Sequence, residues 1–103
     1  MLEDELQAQV IELATMLGWL AYHTHDSRRS AAGFPDLTLV HPVSGALIFA
    51  ELKRDGQHPT PDQRKWLDAL AIMHTAVVWR PADLRDGSIG RVLHALARVG
   101  VRP

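Results

Sequence analysis

The chain has 103 residues, 47% of them hydrophobic and 22% charged, with a mean hydropathy of −0.07, a balance that excludes a disordered tail and carries no membrane-protein signature. Cysteine is absent, which removes disulfide frameworks, cysteine zinc sites and thiol nucleophiles and is compatible with a reducing cytoplasm. Net charge is −1, so no global field attracts nucleic acid, yet the charges are unevenly placed: acids crowd Glu3, Asp4, Glu5 and Glu12, and bases gather at Arg28, Arg29, Lys53, Arg54, Arg64 and Lys65.

The first residues are acidic where a signal peptide is basic, and no apolar run approaches the roughly 20 residues that span a bilayer, so a cytoplasmic protein is expected. Leu6, Val10, Leu13 and Leu17 recur at steps of four, three and four and predict a helix over Asp4–Leu17, with Gly18 suited to the left-handed residue that ends it. Trp19–His23 reads as a strand and Thr24–Pro35 as a long loop, of the kind more often functional than idle. Leu37–Val40 and Ala46–Lys53 form a predicted β-hairpin around Pro42 and Gly45. Thr60 is a good N-cap with Pro61 at the first helical position, and Trp66, Leu67, Leu70 and Met73 mark a helix running to about His74. Ala76–Arg80 is the fourth strand, stopped by Pro81, and Ile89, Val92, Leu93 and Leu96 give a final helix. The expected order is αβββαβα in one domain, residues 1–103, with Trp19, Trp66 and Trp79 in core or interface positions.

Strand alternation turns Glu51 and Lys53 to one side, roughly 7 Å apart, and Ala50 and Leu52 to the other. The hairpin brings Asp36 beside them, where a sheet edge or mouth is expected to meet solvent. A Glu-x-Lys on a strand is also what an ordinary solvated face looks like. His23 and His25 share a face at a strand end, open either to a transition metal with Asp26 or Asp36 or to a phosphate.

Gly33-Phe34-Pro35-Asp36, fourteen intervening residues, Glu51-Leu52-Lys53, and then Gln63 in the following helix together resemble the VRR-NUC family of the PD-(D/E)xK nuclease superfamily. The resemblance extends over nearly the whole chain. It implies a restriction-endonuclease-like α/β fold, a mixed four-stranded sheet flanked by helices, and a metal-dependent endonuclease. Asp36 and Glu51 would be metal ligands, with Glu3 as the helix-one acid and Glu5 as its rival; both also suit a helix N-terminus simply as negative charges. Oxygen ligands favour Mg²⁺ or Mn²⁺ over a closed zinc site. Lys53 would orient or deprotonate the attacking water or counter charge on the phosphate, and Gln63 would sit beside the carboxylates or lie exposed on its helix. The resemblance places His23 or His25 near the phosphate, and Arg28 and Arg29 are placed to grip flanking phosphates, as DNA contacts.

Stand-alone members of the family look like homodimers acting on branched DNA, which implies a Holliday-junction-resolvase-like activity in a phage or bacterial setting. Two other functions fit the same fold: a non-catalytic DNA-binding or assembly module, and a sequence-specific restriction enzyme, for which no recognition domain is visible.

Overall fold

A computed structural model describes residues 1–25 and 31–98. The elements run α1 (Glu3–Met16), β1 (Leu20–His23), β2 (Leu37–Val40), β3 (Leu47–Leu52), α2 (Pro61–Ala71), β4 (Thr75–Trp79), α3 (Pro81–Arg85) and α4 (Ser88–Leu96). The strands lie in the order β1-β2-β3-β4, antiparallel except for the parallel pair β3 and β4. A parallel neighbour cannot be reached by a tight turn, and α2 supplies the crossover. This is the mixed sheet with flanking helices expected from the sequence.

One face of the sheet carries the main core. Leu37 and Leu39 of β2, Ile48, Ala50 and Leu52 of β3, and Trp79 of β4 pack with Leu6, Val10 and Ala14 of α1 and Ile89 and Leu93 of α4. Every second strand residue contributes, as the pleat requires. The opposite face is covered over β3 and β4 by α2, where Phe34, Phe49, Trp66 and His74 meet edge-on.

Several boundaries differ from the sequence expectation. Trp19 lies just ahead of β1, 3% exposed, and its indole donates to the Leu93 carbonyl at 3.1 Å; anchoring it to α4 removes it from the strand. Helix α2 stops at Ala71, because Ile72, Met73 and His74 bend in a turn that donates back to Ala69 and Leu70 and delivers Thr75 opposite Ile48. Pro81 does more than stop β4. It opens the short helix α3, where Asp83 accepts from the Arg80 backbone at 2.9 Å, and Asp55 ties that helix down through Ala82 N (3.0 Å) and Arg85 (2.8 Å).

His41, read from sequence only as part of a turn, is a buried structural residue. Its Nδ1 accepts from the backbone N–H groups of Val43 and Ser44, which leaves Nε2 as the donor to the Leu17 carbonyl at 3.3 Å. That ring joins the β2–β3 turn to the end of α1. Gly18 takes φ +89° there, as its position at the helix end predicted.

Candidate active site

Asp36 immediately precedes β2, and Glu51 is the penultimate residue of β3. The register pairs Leu37 with Ala50, so the next pair outward aligns Asp36 with Glu51 on the side away from the main core. Asp36 is held in place: its Oδ2 accepts from the Leu52 backbone N–H at 2.8 Å. From the neighbouring edge strand, the Thr24 backbone donates to the Asp36 carbonyl and the Thr24 hydroxyl to the Pro35 carbonyl, each at 2.8 Å. Thr24 therefore ties the Pro35-Asp36 backbone to the end of β1 through two hydrogen bonds. Nothing in the sequence marked it beyond its place at the head of the long loop.

Lys53, just past the end of β3, donates its backbone N–H to Trp79 of β4 at 3.0 Å. Its Nζ comes within 3.6 Å of Glu51 Oε2, and its side chain is 13% exposed. The two carboxylates and the ammonium are thus gathered on one side, as the strand pattern predicted. Their setting is different. Glu51 is 1% exposed rather than open to solvent, because β3 is an interior strand flanked on both sides. One of its oxygens, Oε1, has no hydrogen-bond partner.

Burial first, then the Asp36 charge, the hydrogen bond a protonated Glu51 makes to Asp36 and, least, Glu3 together raise the Glu51 carboxyl from 4.5 to about 8, with Lys53 opposing. Glu3 itself is exposed in the first turn of α1. Among the described residues no three His, Asp or Glu side chains converge as a group. Asp36 and Glu51 form the adjacent pair, and Glu3 acts from farther off.

Gln63 is committed locally. Its Oε1 accepts from the Thr60 N–H at 2.9 Å while the Thr60 hydroxyl accepts from Gln63 N at 3.3 Å, a reciprocal cap that starts α2. That helix start is packed against Gly33, where φ is +88° and an added Cβ would lie 2.5 Å from the Asp62 backbone. The glycine of the Gly-x-Pro-Asp sequence is therefore needed both for its left-handed backbone and for this close approach.

The rings of His23 and His25 meet at a tilt of 55°, with centroids 4.2 Å apart, and His25 also meets Tyr22 edge-on. Half-buried His23 is paired with Leu37, on the α1 side of the sheet, so Thr24 rather than either imidazole is aligned with Asp36. Arg28 and Arg29 lie outside the described residues.

Comparisons with known proteins give the family and the fold. The VRR-NUC domain family model matches residues 2–78, a span containing Glu3, Asp36, Glu51, Lys53 and Gln63. A protein of Acyrthosiphon pisum secondary endosymbiont phage 1, named "Putative nuclease p44", is 31% identical over 83 residues, 80% of this chain and 86% of that protein. A solved structure described as a VRR_NUC domain superposes with a TM-score of 0.67 at 24% identity, covering 84% of this chain and 92% of that one. Archaeoglobus fulgidus Hjc, a Holliday junction resolvase from an archaeal hyperthermophile, shares the fold with a TM-score of 0.54 at 18% identity, over 75% of this chain and 67% of its own. The fold is restriction-endonuclease-like, and, with three quarters of its length matched around the paired carboxylates, the chain belongs to the VRR-NUC nuclease family.

Proposed function

We propose that this protein is a metal-dependent, structure-specific DNA endonuclease that cuts branched DNA as a homodimer, in the manner of a Holliday junction resolvase. The observation that carries the proposal is Glu51: a carboxylate buried to 1% exposure, with one unpartnered oxygen, beside a second carboxylate. Burying like charges together costs the fold free energy unless a cation joins them. The donor set, all oxygen, suits Mg²⁺ or Mn²⁺.

Asp36 and Glu51 would hold the ion, with Glu3 reaching in from the start of α1. A divalent ion there neutralises phosphate charge and lowers the pKa of water. The chain's own groups do the rest. The Leu52 N–H fixes one Asp36 oxygen, Thr24 fixes the backbone behind it, and Lys53 presents an ammonium at the same rim, to orient the attacking water or to stabilise charge gathering on the phosphate. Arg28, Arg29, His23 and His25 would hold the flanking strand, and Gln63 would contribute from the start of α2.

Branched DNA is supported by the resolvase-named structural relative, and a two-fold pair would supply two sites for two strands. Residues 1–103 form one nuclease domain in this proposal: Ile89 and Leu93 of α4, beyond the family match, complete the main core. Among the described residues no helix is long and apolar enough to cross a membrane, and the phage relative favours action in the cytoplasm of a bacterial or phage-infected cell.

The test is cleavage of a labelled four-way junction beside matched linear duplex, flap and single-stranded DNA in Mg²⁺ or Mn²⁺, with Asp36→Asn as control. Symmetric nicks in the junction alone, absent from the variant, are expected. Cutting of flaps or single strands instead would remove the resolvase assignment, and no cutting would favour a non-catalytic DNA-binding module.

A further inference from the structure

Two of the three tryptophans, Trp19 and Trp79, are buried at 3% and 4% exposure, but Trp66 is half-exposed. Its ring is nevertheless held. The indole N–H donates to the Ala32 carbonyl at 3.2 Å, and Phe34 meets it edge-on with centroids 5.1 Å apart. Beside it opens a cavity of about 290 Å³, lined by Ala32, Asp62, Lys65, Trp66 and Ala69. Positions 62, 65, 66 and 69 follow the helical repeat, so they form one stripe of α2. The walls are two small alanines and an aromatic ring, and the two charges, of opposite sign, are exposed. This volume is at the small end for a ligand pocket and suits a single planar ring system rather than a peptide.

The position relative to the carboxylates is restrictive. Gly33 abuts the Asp62 and Gln63 backbone, which locks the loop carrying Ala32 to α2. Ala32 precedes Asp36 by four residues, so at about 3.3–3.6 Å per residue their Cα atoms are at most about 14 Å apart. The cavity is therefore within reach of a few nucleotides of a strand bound at the carboxylates.

Resting on the nuclease function above, we infer that the cavity receives one unpaired nucleobase of the substrate strand, stacked on Trp66. Lys65 meets the adjoining phosphate and Asp62 accepts a hydrogen bond from a base N–H. Only an unpaired base can offer its flat face, since a duplex presents base edges, and the strand exchange point of branched DNA is where such bases become accessible. The cavity thereby contributes structure specificity that the carboxylates alone do not have.

The test is binding in EDTA, where no cleavage occurs, so it is separable from the junction assay with Asp36→Asn. A labelled single-stranded octathymidylate is compared with an abasic octamer of the same backbone by anisotropy and by tryptophan quenching. Stacking is worth about 1–3 kcal/mol per base, so the base-bearing strand is expected to bind roughly 5- to 150-fold more tightly and to quench the exposed tryptophan. Trp66→Phe keeps the difference. Trp66→Leu abolishes it, and so does Ala69→Phe, which fills the cavity from an exposed position and leaves Trp66 in place. Equal affinity for the two strands, or discrimination that survives in folded Ala69→Phe, would overturn the inference.

Discussion

Glu51→Gln should make the protein more stable while abolishing the metal site. The unfolded chain ionises this carboxyl at its ordinary value, near 4.5, whereas the fold holds it protonated up to about 8 because burial and Asp36 oppose the charge. The folded state therefore binds the extra proton across that window, and folding stability falls as pH rises from 4.5 to 8. The contribution is fully present below 4.5 and lost above 8. At about 1.36 kcal/mol per pH unit, suppressed ionisation costs the fold on the order of 3 kcal/mol at pH 7. Glutamine has the same shape without the charge, and its amide can donate to Asp36. Thermal unfolding followed by circular dichroism in EDTA, at pH values from 4.5 to 8, should show the variant melting about 10 °C or more above the wild type near pH 8, since 1 kcal/mol moves a domain of this size by about 4–8 °C. The two curves should converge at pH 4.5. Mg²⁺ or Mn²⁺ should narrow the gap by stabilising only the wild type. A variant that melts lower than wild type at pH 8, or a gap that does not change with pH, would refute the reasoning.

Other expectations follow from the same geometry. Lys53→Ala should lose cleavage while keeping most DNA binding, compared by single-turnover cutting and by gel shift in Ca²⁺; parallel loss of both would assign Lys53 to binding alone. Gly33→Ala forces a Cβ into the Asp62 backbone and a non-glycine residue to φ +88°, so it should destabilise by more than about 2 kcal/mol in urea unfolding and lower cleavage by displacing Asp36. Gln63→Ala should cost about 1 kcal/mol through the lost cap of α2. If cleavage per folded molecule is unchanged in that variant, the role of Gln63 is structural; a fall of tenfold or more would add a function at the carboxylates.

Much of the site was legible because it is written locally. Gly33-x-Pro-Asp36 and Glu51-x-Lys53 use backbone rules that hold in any fold: strand alternation fixes which side chains share a face, and a hairpin aligns its own two ends. Thr60 and Pro61 likewise announce the start of α2 without knowledge of the rest of the chain. The family resemblance set Gln63 beside the carboxylates, with an exposed place on its helix as the alternative, but its three-residue interval from Thr60 makes a capping box, and local geometry uses its oxygen there.

What local patterns could not contain was burial and the contacts between distant segments. The Glu-x-Lys pattern is identical on an edge strand and an interior one; only pairing with both β2 and β4 buries Glu51, strands one of its oxygens and raises its proton affinity. Thr24 clamps Asp36, His41 ties a turn to Leu17, and Trp66 borders a cavity with Ala32, each across many residues of chain. The sequence by itself determined the periodic elements, the face shared by Glu51 and Lys53, and the motif that places the chain among nucleases. The tertiary structure alone decided which charges are desolvated and which side chains meet across the chain, because solvent exclusion and long-range contact belong to the packed whole and not to any short stretch of residues.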